Sequence, residues 1–202
     1  ESPSTPSNPA GFVRPARSGD AEPIARLQQA VWAAAAGRSL PPDVLSSLDL
    51  ATMTRSWEQA VNEPPSPRHH VLVAWVGKPS GGQTVVGVSS LAPGQDPDHD
   101  PDRDAEVVEL AVHPAHRGAG HGSRLLAAAA DVLSGDGFTT AHHWVPEQDE
   151  DRAAFLTSAG WAYDGARRTW DLYGDGEVLL TELRWHAALD PAPTATVAGR
   201  GR

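Results

Sequence analysis

Three glycines in five positions, Gly118, Gly120 and Gly122, stand between an apolar run and a helical pattern. The whole stretch reads Glu106-Val-Val-Glu-Leu-Ala-Val-His-Pro-Ala-His-Arg-Gly-Ala-Gly-His-Gly-Ser-Arg-Leu-Leu126. Side chains are missing where a strand hands over to a helix. Bare backbone N–H groups are therefore left at the positive end of a helix dipole, which makes an anion site. A pyrophosphate suits such a cradle. Just upstream stand two carboxylates, Glu106 and Glu109, of the type that takes a proton in general-base chemistry. Residues alternate in a strand, so Glu106, Val108, Leu110 and Val112 are expected to share one face and Glu109 to point to the other. A buried, unpaired Glu109 would be costly, so it is expected to line a cavity or pair with an Arg or His.

The spacing rules out two familiar glycine turns. A P-loop needs Gly-x-x-x-x-Gly-Lys-Ser/Thr, and no Gly-Lys-Ser/Thr occurs. A dinucleotide fold needs Gly-x-Gly-x-x-Gly near the first strand and an acid about 20 residues on. Here the turn is Gly-x-Gly-x-Gly in mid-chain, with Phe138 near the place of the acid.

Arg117-Gly-Ala-Gly-His-Gly122 does follow Arg/Gln-x-x-Gly-x-Gly/Ala, and Leu110-Ala-Val-His-Pro114 precedes it. In this the chain resembles the GNAT superfamily of N-acetyltransferases at its acetyl-CoA motif. Asp149 to Trp161 is similar to that family's Asn-x-x-Ala-x-x-Phe-Tyr-x-x-x-Gly-Phe segment. Phe155 and Gly160 are in place, Asp149 stands at the asparagine, Arg152 at the alanine and Leu156 at the tyrosine.

The resemblance implies acetyl transfer from acetyl-CoA, as co-substrate, to an amine of a small molecule or protein by direct attack, with no metal. It implies cofactor contacts from Leu110, Ala111, Val112, Arg117, Gly118, Ala119, Gly120, His121, Gly122, Ser123, Asp149 and Phe155. The amides of Arg117 to Gly122 would hold the pyrophosphate, strand 110–112 would pair with the pantetheine arm, and the Val112 N–H would serve as an oxyanion donor. Glu106 matches the glutamate base of the histone-acetylating branch and is the first choice, acting through a water; Glu109 is the second. The tyrosine at the Leu156 position usually protonates the leaving thiolate. Water, Tyr163 or Tyr173 would substitute, or the thiolate would leave unassisted. Leu156 also motivates a second reading, a GNAT-like module that binds acyl-CoA or a protein partner without turnover.

Around this stretch the periodicity predicts a mixed α/β sheet. The resemblance makes it a mostly antiparallel sheet of six to seven strands flanked by about four helices. Phe12–Pro15 reads as an edge strand, because proline cannot donate to a ladder. Asp20 is expected to cap a helix carrying Ile24, Leu27 and Val31 on one face and ended by Gly37. Leu40-Pro-Pro-Asp43 opens a second helical region, with Leu50, Met53 and Trp57 on one side. Strands are expected at 70–76, 84–91, 106–112, 139–145, 161–172 and 178–186, and helices at 122–134 and 149–159. Gly77 to Gly82 signals a hairpin. One domain over 11–189 is expected, with disordered segments at 1–10 and 190–202. An exposed final strand would permit a homodimer.

Composition narrows the partners. The net charge of −10 argues against nucleic acid. Residues 96–109 carry five Asp and two Glu against one Arg; this loop and strand could draw in a cationic amine, or could be a solvated hairpin loop. There is no cysteine, which excludes disulfides, thiolate metal sites and a cysteine nucleophile. No apolar run of membrane-spanning length occurs, and residues 1–9 lack the apolar core of a signal peptide, so a cytoplasmic protein is expected. Among the nine histidines, His113, His116 and His121 are expected to be scattered and exposed around the turn. Asp96, Asp98 and Asp100 resemble the start of an EF-hand loop, but Pro101 and Val107 occupy the places of its glycine and glutamate. Trp32 and Trp57, on the helices that cover the acceptor side in the family, are expected in the core.

Overall fold

The computed structural model describes residues 11–35, 49–77 and 81–190. Its strands are β1 (Phe12–Pro15), β2 (His70–Gly77), β3 (Gln83–Pro93), β4 (Asp104–Val112), β5 (Thr140–Pro146), β6 (Ala162–Asp171) and β7 (Leu179–Ala188). They form a single seven-stranded sheet in the order β1-β2-β3-β4-β5-β7-β6. Every neighbouring pair is antiparallel except β4 with β5. The helices are α1 (Ala21–Ala35), α2 (Leu50–Asn62), α3 (His121–Gly135) and α4 (Glu150–Ser158). This is the expected mixed architecture, with element ends displaced by one or two residues. The expected helix stop at Gly37, the start at Leu40 to Asp43 and part of the β2–β3 turn lie outside the described residues. So do residues 1–10 and 191–202.

Two expectations change. The final strand is not the exposed edge: β7 lies between β5 and β6, so β6 is the free edge. Asp20 does not cap α1. It ends a 3-10 turn (Ser18–Asp20), where its carboxylate accepts from the Arg17 amide at 2.7 Å and from Arg14 at 2.6 and 3.0 Å.

The helical and strand periods place one core on each side of the sheet. α1 and α2 bury Ile24, Leu27, Val31, Met53 and Trp57 against Val71, Val73, Val88 and Ala111, with Trp32 partly buried beside them. On the other face Leu125, Ala129, Leu133 and Leu156 of α3 and α4 pack against Leu72, Val86, Val107, Leu110 and Val145. Each such leucine contributes roughly 1.5–3 kcal/mol by leaving water.

The parallel pair is short. β4 meets β5 only along Asp104–Glu106 and Thr140–His142, and beyond Glu106 the strands part. His143 sits at the parting, where its Nδ1 bonds the Val107 carbonyl. A carbonyl only accepts, so Nδ1 carries the proton. Burial, aided by Arg152, holds the His143 imidazole down at about 3, so the ring is neutral.

A bulge sits at the same place. Ser90 faces Glu109 and Leu91 faces Val107, leaving Val108 unpaired and 55 % exposed. One extra residue reverses the alternation of the strand. Val107 and Leu110 therefore both enter the α3–α4 core, while Glu106 and Glu109 share the α1–α2 face. The expectation that the two carboxylates point to opposite faces fails for this reason.

On that face the acidic loop is tied down by Arg184 of β7, a buried side chain. Arg184 Nε donates to Asp164 at 2.7 Å, Nη2 to Asp98 at 2.6 Å, and Nη1 to Asp98 and Asp96 at 2.7 and 3.3 Å. Asp96 also accepts from Trp144 Nε1 at 3.0 Å. Ligand atoms of Asp96, Asp98 and His99 lie within 4.8 Å of one another, but the guanidinium already supplies their positive charge. The loop is thus a structural clamp.

Bonding to Arg184 holds the Asp98 carboxyl well below the usual range, against the effect of burial. Burial pushes Asp164 up, but the Ala166 amide and Arg184 outweigh it and leave it lowered. Depressed carboxylates contribute stability above the unfolded pKa of about 4, and that stability is lost as pH falls below it. Arg184→Met should destabilise the fold by roughly 2 kcal/mol at pH 7, because it leaves the partly shielded carboxylates of Asp96 and Asp164 without their counter-charge. Urea unfolding should show this loss, and should show the variant losing less further stability than the parent between pH 5 and pH 2.

Candidate active site

The cavity opens where β4 and β5 separate. It holds about 540 Å³ and is lined by Leu110, Val112, His116, Arg117, Gly118, Gly120, His121, Gly122, Ser123, Asp149, Asp151, Arg152 and Phe155. Its walls are thus the free edge of β4, the first turn of α3 and the first turns of α4.

The backbone sets the β4 wall. His113 N–H donates to Val86 O on β3 at 2.9 Å. Peptide groups alternate along a strand, so those of Val112 and Leu110 turn away from β3 into the cavity. The Val112 carbonyl is approached there by Arg117 Nε at 3.4 Å. The opposite wall is a helix start without a side-chain cap. Its N-cap is Gly120 at φ 77°, a left-handed conformation that favours glycine. The amides of His121, Gly122 and Ser123 therefore open on the cavity at the positive end of α3. Gly122 serves a different need, since a Cβ there would lie 3.1 Å from Phe155 Cζ. The absent side chain lets the aromatic ring close over the first turn without being pushed back.

Of the twelve expected cofactor contacts, ten line the cavity. Ala111 does not: the bulge turns its side chain into the α1–α2 core. Ala119 lies behind the turn, where its carbonyl accepts from Arg124 Nη1 at 3.0 Å. Asp149 has a local task as well, capping α4 by accepting from the Arg152 amide at 3.1 Å and pairing with Arg152 Nε at 3.2 Å.

His116, Asp151 and Arg152 line the cavity without having been singled out for it. Arg152 was readable as a charge in place of the family's alanine, one turn from Phe155. The histidines of the turn are not scattered. His113, His116 and His121 stand in a row, with centroids 5.7 and 6.4 Å apart and edge-to-face angles near 70°. His121 is buried, and burial, with Arg124 and His116 adding to it, lowers its pKa.

The two carboxylates stand on the α1–α2 face of the sheet. Glu109 Oε2 accepts from Gln28 Nε2 at 3.1 Å, and Gln28 Oε1 accepts from Trp57 Nε1 at 3.0 Å. A hydrogen-bonded line therefore runs from α2 through α1 to β4. Burial pushes the Glu109 carboxyl up, opposed by Arg152, the Gln28 amide and the Leu110 N–H. Burial likewise raises Glu106, with Arg168 opposing and Asp96 and Glu182 reinforcing. Both are thus shifted toward the range in which a carboxylate takes protons near neutrality. Leu156 is fully buried, so no proton donor stands at its position. Tyr163 donates to Gly165 O at 2.9 Å on β6, and neither it nor Tyr173 is among the cavity residues.

The family model described as Acetyltransferase (GNAT) family matches residues 38–161, more than half of the chain. The chain belongs to the GNAT acetyltransferase family. No curated protein matches it by sequence. Solved GNAT structures share its fold at low identity. A candidate acetyltransferase from Salmonella typhimurium, solved with its cofactor acetyl-CoA, superposes at TM-score 0.64 and 20% identity, covering 90% of this chain and 95% of that one. The PaiA N-acetyltransferase of Thermoplasma acidophilum, solved with coenzyme A, gives 0.67 and 15%, covering 89% and 99%. The ribosomal-protein-S18-alanine N-acetyltransferase of Escherichia coli gives 0.60 and 13%, covering 92% and 98%.

Gln28 is a direct handle on Glu109. Gln28→Leu removes a donor that favours the ionised form, so the Glu109 pKa should rise further. Carboxyl NMR titration of parent and variant checks the direction; a fall or no change would show that Gln28 does not reach this carboxylate.

Proposed function

We propose that this GNAT protein is an N-acetyltransferase that moves an acetyl group from acetyl-CoA to an amine by direct attack. The observation that carries the reading is the cavity itself, in which an uncapped α3 N-terminus faces the free edge of β4. Its parts fit the cofactor. The amides from Gly118 to Ser123, with Arg117, suit a pyrophosphate, and the peptide groups of Leu110 and Val112 that turn away from β3 suit an amide-containing arm. Bound there, acetyl-CoA would supply an activated acetyl thioester.

The chain's own residues do the rest. Val112 N–H, fixed in the strand and turned into the cavity, is placed to donate to an oxygen that gains negative charge. Glu109, held by Gln28 beside Leu110, takes the proton of the attacking amine. Glu106, on the same face toward β5, reaches the amine through a water. Its rank changes from the sequence-based expectation because the bulge brings Glu109 round to the acceptor side. No side-chain acid from α4 assists the departing sulfur, so water supplies that proton.

The rival is a GNAT module that binds acyl-CoA or a partner without turnover, and the buried Leu156 favours it. Release of free thiol from acetyl-CoA across a broad amine panel separates the two. Transfer should appear with some amine, and its rate should rise with pH as the raised carboxyls lose their protons. Glu109→Gln should lower kcat by about 10²-fold or more, and Glu106→Gln by less. If no amine is acetylated while CoA binds, the rival stands.

Gly120→Asp tests the cradle separately. It places a Cβ at φ 77° and a carboxylate at the anion site, so calorimetric affinity for CoA should fall by about tenfold or more, roughly 1.4 kcal/mol. Unchanged affinity would remove the pyrophosphate from this turn.

A further inference from the structure

Two arginines stand on the sheet face that carries Glu106, and they are used to opposite degrees. Arg184 is saturated: every nitrogen of its guanidinium bonds to Asp164, Asp98, Asp96 or His99. Arg168 of β6 is not. Its Nε donates to Glu182 Oε2 at 2.7 Å, and Trp170 Nε1 donates to the same oxygen at 2.8 Å. Its guanidinium lies over the Trp144 ring at 4.3 Å and 5.1 Å from the centroid of Trp170. Among the described residues neither Nη group has a hydrogen-bond partner, and the side chain is 32 % exposed.

Strand register puts this group on the sheet face that carries Glu106, across β7 and β5 from it. Arg168 faces Glu182, Trp144 faces Arg184, and His142 faces both His186 and Glu106. Paired residues share a face, so Arg168, Trp144 and Glu106 look out on the same side, across the place where β4 leaves β5. Among the charged groups near Glu106, Arg168 acts on its carboxyl most strongly.

Two indoles and a carboxylate fix the plane of a guanidinium whose two terminal amino groups point to no protein acceptor. Such a fork is matched by a carboxylate, which takes two parallel N–H bonds. A partly exposed Arg–Glu pair adds only modestly to stability, which gives the fold little reason to leave both Nη groups open. In the acidic loop, Asp96 and Asp98 are already bound to Arg184, which offsets their pull on a purely cationic acceptor.

We propose that Arg168 is the acceptor clamp, and that the acceptor is an amine that itself carries a carboxylate, as an amino acid does. The carboxylate lies on the Arg168 fork over Trp144, and the amine is turned toward Glu106 and Glu109. This rests on the acetyl-transfer reading above and narrows its substrate class.

The test uses probes that differ only in the carboxylate: L-phenylalanine against phenethylamine, and L-arginine against agmatine. Each is titrated calorimetrically into the full chain saturated with CoA, which needs no turnover, and each is then assayed for acetyl transfer. In at least one pair the carboxylate-bearing member should bind about tenfold tighter or better. Arg168→Gln should abolish that preference while leaving CoA affinity, the melting temperature and binding of the plain amine close to the parent's. Arg168→Lys, a charge without the fork, should restore only part of it.

The proposal is overturned if no carboxylate probe binds, if the plain amine binds as well in both pairs, or if Arg168→Gln weakens both members equally. Failure of acetyl transfer with the binding preference intact would instead sink the acetyl-transfer reading and leave the clamp standing.

Discussion

The structure depends on a parallel strand pair that stops early. β4 and β5 run together for three residues each and then separate. A strand edge freed inside a sheet exposes peptide groups that must find partners elsewhere. Those of Leu110 and Val112 find none on β5, and the cavity is the space so created. His143 closes the apex of the parting by binding the last carbonyl before the bulge, Val107. The bulge then turns Leu110 into the core under α3 and Glu109 out beneath α1. A single irregularity therefore sets the cavity wall on one face and the two carboxylates on the other together.

The two faces of the sheet solve different problems. The α3–α4 face is apolar and draws its stability from burial, which is why Leu156 can occupy a place that chemistry would give to a tyrosine. The opposite face, beyond the cover of α1 and α2, is charged, and its cohesion comes from Arg184. Three carboxylates around one guanidinium form a network in which removing the cation is far worse than never having had it. Much of the local acidity of residues 96–104 is thus spent inside the molecule.

What could be read from the residues follows from range. The strand and helix periods, the glycine turn and the Pro15 edge are local, and the elements and the turn that lines the cavity are legible from them. Asp149 and Phe155 lie some thirty residues beyond the turn yet were placed by motif spacing, since α4 packs against the first turn of α3 through Gly122. The bulge was hidden because Val107 and Val108 are both β-branched and apolar, so nothing in the pattern marks the extra residue. The place of β7 inside the sheet was hidden as well, because strand order is set by long-range pairing. The histidine row and the Arg184 network arise where distant segments meet: His121 is buried at the start of α3, beside Gly11, and Arg184 joins β7 to a loop about ninety residues earlier in the chain.

The buried Leu156 bears on which proton transfer this site must manage. A thiol has an ordinary pKa of about 8.5, so sulfur can depart as a thiolate near neutral pH at little cost. An alkylamine, with an ordinary pKa of about 10 in the lysine side chain, cannot attack until it has lost a proton. The harder requirement falls on the base. The positive end of α3, Arg117 and Arg152 around the cavity favour a departing anion without a donor. On the other side of β4, burial raises both Glu106 and Glu109 toward the pH at which they would work. On the proposed N-acetyltransferase reading, loss of the acid position leaves the demanding half of the chemistry to Glu106 and Glu109, and the bulge that puts them on one face is what makes that division possible.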